Sequence, residues 1–208
     1  MFRDRDEAGV LLADEVRDQV SGPCVVLGIP RGGVLVAVPV ARALRAPLDV
    51  VVPKKLGAPG RSELGIGAIA PGVRVLDRRL ISRLGVSDAY LESEIAREEA
   101  EIARRTAVYR GNRPPPELRD RITVVVDDGI ATGGTIRAAL AWARAAGASR
   151  VILAVPVAPP EVVADLEKEV DRLVVLATPS HFMAVGEWYE DFRQVSDDEV
   201  VAALAAAT

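Results

Sequence analysis

Two adjacent carboxylates, Asp127 and Asp128, stand between the β-branched run Val124-Val125-Val126 and a loop of small residues, Gly129-Ile130-Ala131-Thr132-Gly133-Gly134-Thr135. The order reads as a buried strand, an acidic pair and a loop that opens a helix. A helix N-terminus presents unpaired backbone N–H groups and the positive end of a dipole, an arrangement that holds a phosphate. Gly133 and Gly134 let the backbone approach that phosphate closely, and Thr132 and Thr135 add hydroxyl donors. The two Asp residues have the wrong sign for a phosphate. They suit hydroxyl groups or a bound cation, because an ionised carboxylate only accepts hydrogen bonds. Together these features predict a ligand with vicinal hydroxyls at one end and a phosphate at the other, which a ribose 5-phosphate fits. The competing reading is a plain strand–turn–helix joint with a capping Asp. A cap needs one Asp, not two followed by a Gly–Thr loop.

Other segments could share in that chemistry. Gly28-Ile29-Pro30-Arg31-Gly32-Gly33-Val34 follows a first apolar run. Its glycines let amides turn inward, and Arg31 offers fork-shaped donors to a phosphate. Taken alone it reads more readily as a tight turn with a solvated Arg; beside the Asp127–Thr135 segment the phosphate-binding reading prevails. Lys54 and Lys55 follow a second apolar run and could meet anionic charge, or simply solvate a strand end. The stretch from Thr178 to Glu199 holds the single His of the chain, His181, with Phe182, Trp188, Tyr189 and Phe192, in a sequence that is 4% aromatic. Aromatic faces stack on planar rings, but the same cluster could be a clasp that anchors the C-terminal segment. The run Gly65-Ile66-Gly67-Ala68-Ile69-Ala70 imitates a dinucleotide fingerprint, yet it lacks a preceding buried strand and a following helix. No Cys/His spacing points to zinc, and no Walker or Gly-x-Ser-x-Gly loop is present.

The elements that must position these residues are legible in outline. An amphipathic helix is expected from Asp4 to Val20, with Ala8, Leu11, Leu12 and Val16 on one face. Strands are expected at Cys24–Ile29, Leu48–Pro53, Val124–Asp127, Val151–Val155 and Leu173–Leu176. These continuous β-branched runs mark strands buried on both faces, as in parallel sheets. Helices are expected at Val34–Leu44, Thr135–Ala146 and Glu161–Lys168. The alternation is that of an open, mostly parallel α/β sheet flanked by helices, in which ligands lie at the carboxyl ends of strands where the strand order reverses. An insertion follows the second strand: a Gly- and charge-rich loop from Leu56 to Ile66, a hairpin turning at Pro71-Gly72, and a long helix from Ser87 to about Tyr109. On that helix Leu91, Ile95, Ile102 and Thr106 fall on one face, with Arg97–Glu101 and Glu101–Arg105 as i,i+4 pairs on the wet side. Gly111-Asn112 ends it, and Pro114-Pro115-Pro116 makes a stiff connector.

The acidic pair with its Thr-Gly loop resembles the binding signature of type I phosphoribosyltransferases. The resemblance extends through Pro30-Arg31-Gly32-Gly33, Lys55-Leu56-Gly57-Ala58-Pro59 and Trp188-Tyr189-Glu190-Asp191-Phe192. It covers essentially the whole chain and is strongest to bacterial proteins known only as predicted phosphoribosyltransferases. It implies a single domain over residues 1–208, with residues 54–77 as a flexible lid loop and hairpin, 87–110 as an inserted helix, and 178–208 as a small C-terminal hood. It implies Mg²⁺-dependent transfer of the phosphoribosyl group of phosphoribosyl pyrophosphate (PRPP) to a nitrogenous acceptor, with release of pyrophosphate. A PRPP- or nucleotide-binding regulator without efficient turnover is the alternative.

Carried over, Asp127 and Asp128 take the ribose hydroxyls and, directly or through water, the metal. With Arg31 they form the catalytic set. Ala131, Thr132, Gly133, Gly134 and Thr135 take the 5-phosphate, while Arg31, Gly32, Lys54 and Lys55 take pyrophosphate. His181, Phe182, Trp188 and Tyr189 face the acceptor. A homodimer is implied as well. One departure is informative. Enzymes that salvage 6-oxopurines usually carry an Asp where this chain has Ala131, which argues against a hypoxanthine–guanine acceptor of the usual kind.

Bulk properties set the outer bounds. The chain has 208 residues, half of them apolar, with a formal net charge of −4. That gives room for a sizeable core and no electrostatic reason to propose nucleic-acid binding. A single cysteine, Cys24, excludes disulfide-based folding. The charged start Met1–Glu7 does not read as a secretory signal, and no apolar run approaches the ~20 residues needed to cross a bilayer. A cytoplasmic protein with no membrane partner is expected.

Overall fold

The computed structural model describes residues 1–207. Its centre is a five-stranded parallel sheet in the order β2-β1-β6-β7-β8. The strands are β1 (Cys24–Gly28), β2 (Leu48–Val50), β6 (Ile122–Val126), β7 (Arg150–Val157) and β8 (Arg172–Ala177). Alternate residues of these strands feed two cores. Val26, Val124 and Val126 pack with Val34, Ala37 and Ala41 of α2 (Gly32–Leu44) and with Leu12 and Val16 of α1 (Arg5–Arg17). Val25, Leu27, Val125 and Leu153 pack on the opposite face with Ile136, Leu140 and Ala143 of α5 (Gly134–Ala145). Burial on both faces is why these runs show no polar alternation.

The sheet order places β1 beside β6, with α2 leading outward to β2 and α5 leading the other way to β7. The chain reverses between β1 and β6, so the loops that leave their carboxyl ends meet over a crevice. Those loops are 29–31 and 127–133.

Several elements differ from the sequence reading. Asp4 caps α1 through Glu7 N at 2.8 Å. Leu11, expected on its buried face, is exposed, and Arg5, Gly9 and Ala13 are buried instead. Gly9 is required there because α1 and α2 touch: a Cβ would stand 2.5 Å from the backbone oxygen of Val36. The segment expected as a flexible loop and hairpin forms an antiparallel sheet of β3 (Lys54–Ala58), β4 (Arg61–Ala70) and β5 (Val73–Leu76). Leu56, Ile66 and Ile69 bury its base, and residues 59–63 hold an exposed tip. Ala68 and Ala70 of this sheet rest on Ala138 and Trp142 of α5.

A short helix with no clear apolar period, α3 (Arg78–Leu84), follows with Asp77 as its cap. Next comes α4 (Asp88–Arg110), capped by Ser87, whose Oγ accepts from Tyr90 N at 3.2 Å. Its charges are not all on a wet side. Glu94 and Glu98 are 9% and 7% exposed, and Arg97 pairs with them at 2.6 and 2.9 Å rather than with Glu101. Glu101 takes Arg104 and Arg105. Helix α6 (Pro160–Leu166), a 3₁₀ turn (Val185–Trp188) and α7 (Asp197–Ala206) complete the chain. Ser196 and Glu199 form a capping box at the start of α7. Among the described residues no helix is long and apolar enough to cross a membrane.

Candidate active site

The crevice above β1 and β6 is a cleft of about 440 Å³ lined by Arg5, Arg31, Gly32, Asp127, Asp128 and Thr135, with residues 192–195 along one wall. It lies where the fold reverses. A larger groove of about 810 Å³ runs between α4 and Trp142, but its lining is mostly apolar and it holds none of the acid pair or the two loops.

The two carboxylates are held differently. Asp127 Oδ1 accepts the backbone N–H of Asp128 at 2.9 Å. Asp128 Oδ2 accepts Nε–H of Arg5 at 2.8 Å. Asp127 Oδ2 and Asp128 Oδ1 take no N–H donor among the described residues. Burial and the neighbouring Asp128 charge push the Asp127 carboxyl well above the ordinary carboxylate value. Burial pushes Asp128 upward as well, and Arg5 opposes that shift. The pair therefore binds a proton more readily than two solvated carboxylates do.

Arg5 was not singled out by its sequence context. In Arg3-Asp4-Arg5-Asp6-Glu7 it looks like a member of a solvated charge run. Its acceptor lies 123 residues away, so no local pattern could reveal it. The one available hint was its place at the head of the apolar i,i+3/i,i+4 stripe through Ala8, Leu12 and Val16.

Residues 131–135, expected from the sequence to hold a phosphate, lead into the start of α5. Gly133 stands at the N-cap of α5 with φ +76°, a left-handed conformation that favours glycine. Among the described residues, the amides from Ala131 to Thr135 have no backbone acceptor. Ala131 and Thr132 are exposed, and Thr135 reaches the cleft. On the other loop the Pro30–Arg31 peptide is cis. A Cβ on Gly32 would fall on the Asp128 carboxylate and 2.6 Å from Arg5 Nε, and one on Gly33 would be 2.7 Å from Asp127 Cα. Both glycines are thus needed for the loops to close on each other. Arg31 Nη1 is 3.9 Å from Asp197, which also accepts from Tyr109 OH at 2.6 Å.

The remaining candidates are less convergent. Lys54 pairs with Glu98 at 3.2 Å and Lys55 with Glu63 at 3.4 Å, and neither lines the cleft. His181 is exposed. Phe182 and Trp188 pack around Tyr189, Phe2 and Val157 in a small separate core. Tyr189 is 5% exposed, and its hydroxyl donates to the backbone oxygen of Asp128 at 2.6 Å. These four residues do not line the cleft, whereas Phe192 does. Its ring centre lies 5.0 Å from that of Tyr189 and 4.0 Å from the Arg5 guanidinium carbon.

The parallel sheet, its reversal point and the two loops that meet there define the fold of the type I phosphoribosyltransferases. Residues 6–191 match the family model described as "Phosphoribosyl transferase domain", and the chain belongs to that family. Relatives from two strains of Mycobacterium tuberculosis, CDC 1551 and H37Rv, are 47% identical over 208 residues, and each is named "Putative phosphoribosyl transferase". All of this chain is covered, and it spans 47% of the length of those relatives. The crystal structure of TT1426 from Thermus thermophilus is similar throughout, with a TM-score of 0.85, 43% identity, and coverage of 99% of this chain and 98% of that one. A purine phosphoribosyltransferase from Pyrococcus horikoshii shares the fold at a TM-score of 0.52 and 18% identity, with 92% of each chain covered.

Proposed function

We propose that the protein transfers the phosphoribosyl group of PRPP to a nitrogenous acceptor, a nucleobase or related ring, and releases pyrophosphate. One observation carries the reading. Two carboxylates, each with an oxygen that takes no N–H donor among the described residues, share a cleft with a helix N-terminus and a glycine loop. In this reading Asp127 and Asp128 accept the 2′- and 3′-hydroxyls of the ribose. The amides of Ala131–Thr135 and the Thr135 hydroxyl hold the 5-phosphate. Arg31 and the Gly32 amide hold the pyrophosphate, which leaves with the electron pair of the C1–O bond. The acceptor nitrogen then bonds to C1 and gives up its proton to water. Charge on the acid pair favours the positive charge that develops on the ribose ring as the C1–O bond lengthens.

Mg²⁺ suits the donor set, since it is usually held by one or two carboxylates together with substrate phosphate oxygens. Asp127 and Asp128 are the residues that would hold it, and no group of three or more His, Cys, Asp or Glu side chains offers another cage among the described residues. Bound there, it would neutralise charge on the pyrophosphate. Lys54 and Lys55 join only by leaving Glu98 and Glu63. We assign the acceptor wall to residues 192–195, with Phe192 as the stacking face, and leave Phe182, Trp188 and Tyr189 as the clasp beneath it.

Calorimetric titration with PRPP, with and without Mg²⁺, tests this. Wild type should bind, and Asp127→Asn/Asp128→Asn should not. Release of pyrophosphate should then follow with an acceptor from a panel of bases and amines. A folded wild type that does not bind PRPP would remove the reading, and binding without turnover across the panel would favour a PRPP-responsive regulator.

A further inference from the structure

We propose that Arg5 is a positioning residue of this site. Its Nε–H holds Asp128 Oδ2, which leaves the other oxygen of Asp128 for the ribose and ties that orientation to the 192–195 wall of the same cleft. The inference rests on the PRPP reading given above.

Three contacts fix the guanidinium. Nε–H donates to Asp128 Oδ2 at 2.8 Å, Nη1–H donates to the backbone oxygen of Arg193 at 3.0 Å, and the group stacks 4.0 Å from the centre of the Phe192 ring. The residue is 8% exposed, although it lines the cleft. A packing role alone does not call for arginine here. Position 5 heads the apolar stripe of α1, and a buried ion pair is generally no more stabilising than apolar side chains of similar volume. The requirement comes from Asp128. Its Oδ2 and the Arg193 carbonyl call for two N–H donors from one side chain, which no apolar residue supplies. The absence of a side chain at Gly32 makes the space in which Arg5 Nε and Asp128 Oδ2 meet. The pyrophosphate loop, the acid pair and Arg5 are therefore packed as one unit. Through Arg193 and Phe192, Arg5 also joins the ribose end of the cleft to the wall we assign to the acceptor.

Calorimetry with two probes separates positioning from scaffolding. PRPP reads the acid pair, and inorganic pyrophosphate reads the Arg31–Gly32 loop without it. Arg5→Gln should weaken PRPP about tenfold or more, the scale of a lost charge-assisted hydrogen bond, and leave pyrophosphate affinity unchanged. Arg5→Lys keeps the charge but cannot span Asp128 and Arg193 together, so it should fold, bind pyrophosphate normally and bind PRPP at an intermediate affinity. PRPP affinity within twofold of wild type in a folded Arg5→Gln protein would overturn the proposal. So would a parallel loss of both ligands. If Arg5→Gln does not fold, wild-type PRPP affinity in Arg5→Lys would overturn it. Wild type that ignores PRPP would instead remove the functional reading first, a result seen before any variant is made.

Discussion

Tyr189 donates its phenolic proton to the backbone oxygen of Asp128 over 2.6 Å, so the C-terminal segment grips the main chain of the acid pair while Arg5 grips its side chain. Burial and the nearby Asp128 charge push the titration of this phenol upward, which keeps it a donor at any physiological pH. Tyr189→Phe leaves the part-buried Asp128 carbonyl without this donor and should cost about 1 kcal/mol. Denaturant unfolding measures the cost, and PRPP affinity should fall with it as the acid pair loosens. Wild-type stability would mean that water replaces the phenol without loss.

Asp127 gives a pH dependence with a definite sign. Its folded-state pKa is raised by burial and by Asp128, so over a window above about pH 3.9 the folded chain holds a proton that the unfolded chain has lost. The contribution to stability is complete below that value and disappears as pH rises through the raised one. Asp127→Asn should therefore melt higher than wild type at neutral pH, show a flatter melting profile from acid to neutral, and bind PRPP poorly. Thermal melts across pH check it. A variant that melts lower at neutral pH would show that the ionised Asp127 is stabilising.

Gly32→Ala asks how tightly the two loops close. The added methyl falls on the Asp128 carboxylate, and relieving that overlap should cost about 1–3 kcal/mol. The protein should still fold, since the loop is at the surface of the cleft, but PRPP binding should be lost. Unaltered binding would mean that the loop moves aside freely.

Lys54 is held by Glu98, whose side chain is 10% exposed. Lys54→Met leaves one oxygen of that nearly buried carboxylate without its cation, while Arg97 keeps the other at 2.9 Å, and should destabilise by about 1–2 kcal/mol, below the full buried-pair cost because Lys54 itself is partly solvated. Lys54→Met/Glu98→Gln should restore stability. If Lys54 leaves Glu98 to meet pyrophosphate, the double variant will still bind pyrophosphate weakly. Normal pyrophosphate affinity in the double variant would confine Lys54 to its pairing with Glu98.

What could be read before folding, and what could not, follows from the range of the interactions. Strands β1, β6 and β7 announce themselves because burial on both faces leaves continuous apolar runs. The Asp127–Thr135 segment is legible because its strand, acids and helix start are contiguous. Pro71-Gly72 marks the β4–β5 turn for the same local reason. Arg5, Glu94 and Glu98 were hidden because charge in a helix reads as solvated, and only a distant partner makes its burial tolerable. Tyr189 stood out as an aromatic, but its direction did not. Whether a ring faces a cleft or a core depends on Phe2 and Phe192, which no spacing relates to it.

The contacts of Arg5 also set an order of events during synthesis. Its acceptors lie 123 and 188 residues further along the chain, at Asp128 and at the Arg193 carbonyl. At ribosomal speeds of about 5–20 residues per second, the guanidinium waits on the order of ten to forty seconds for its last partner. The sheet strands and most helices have emerged by then. The cleft thus matures after the sheet, and a nascent chain arrested before residue 193 should carry the sheet without a finished site.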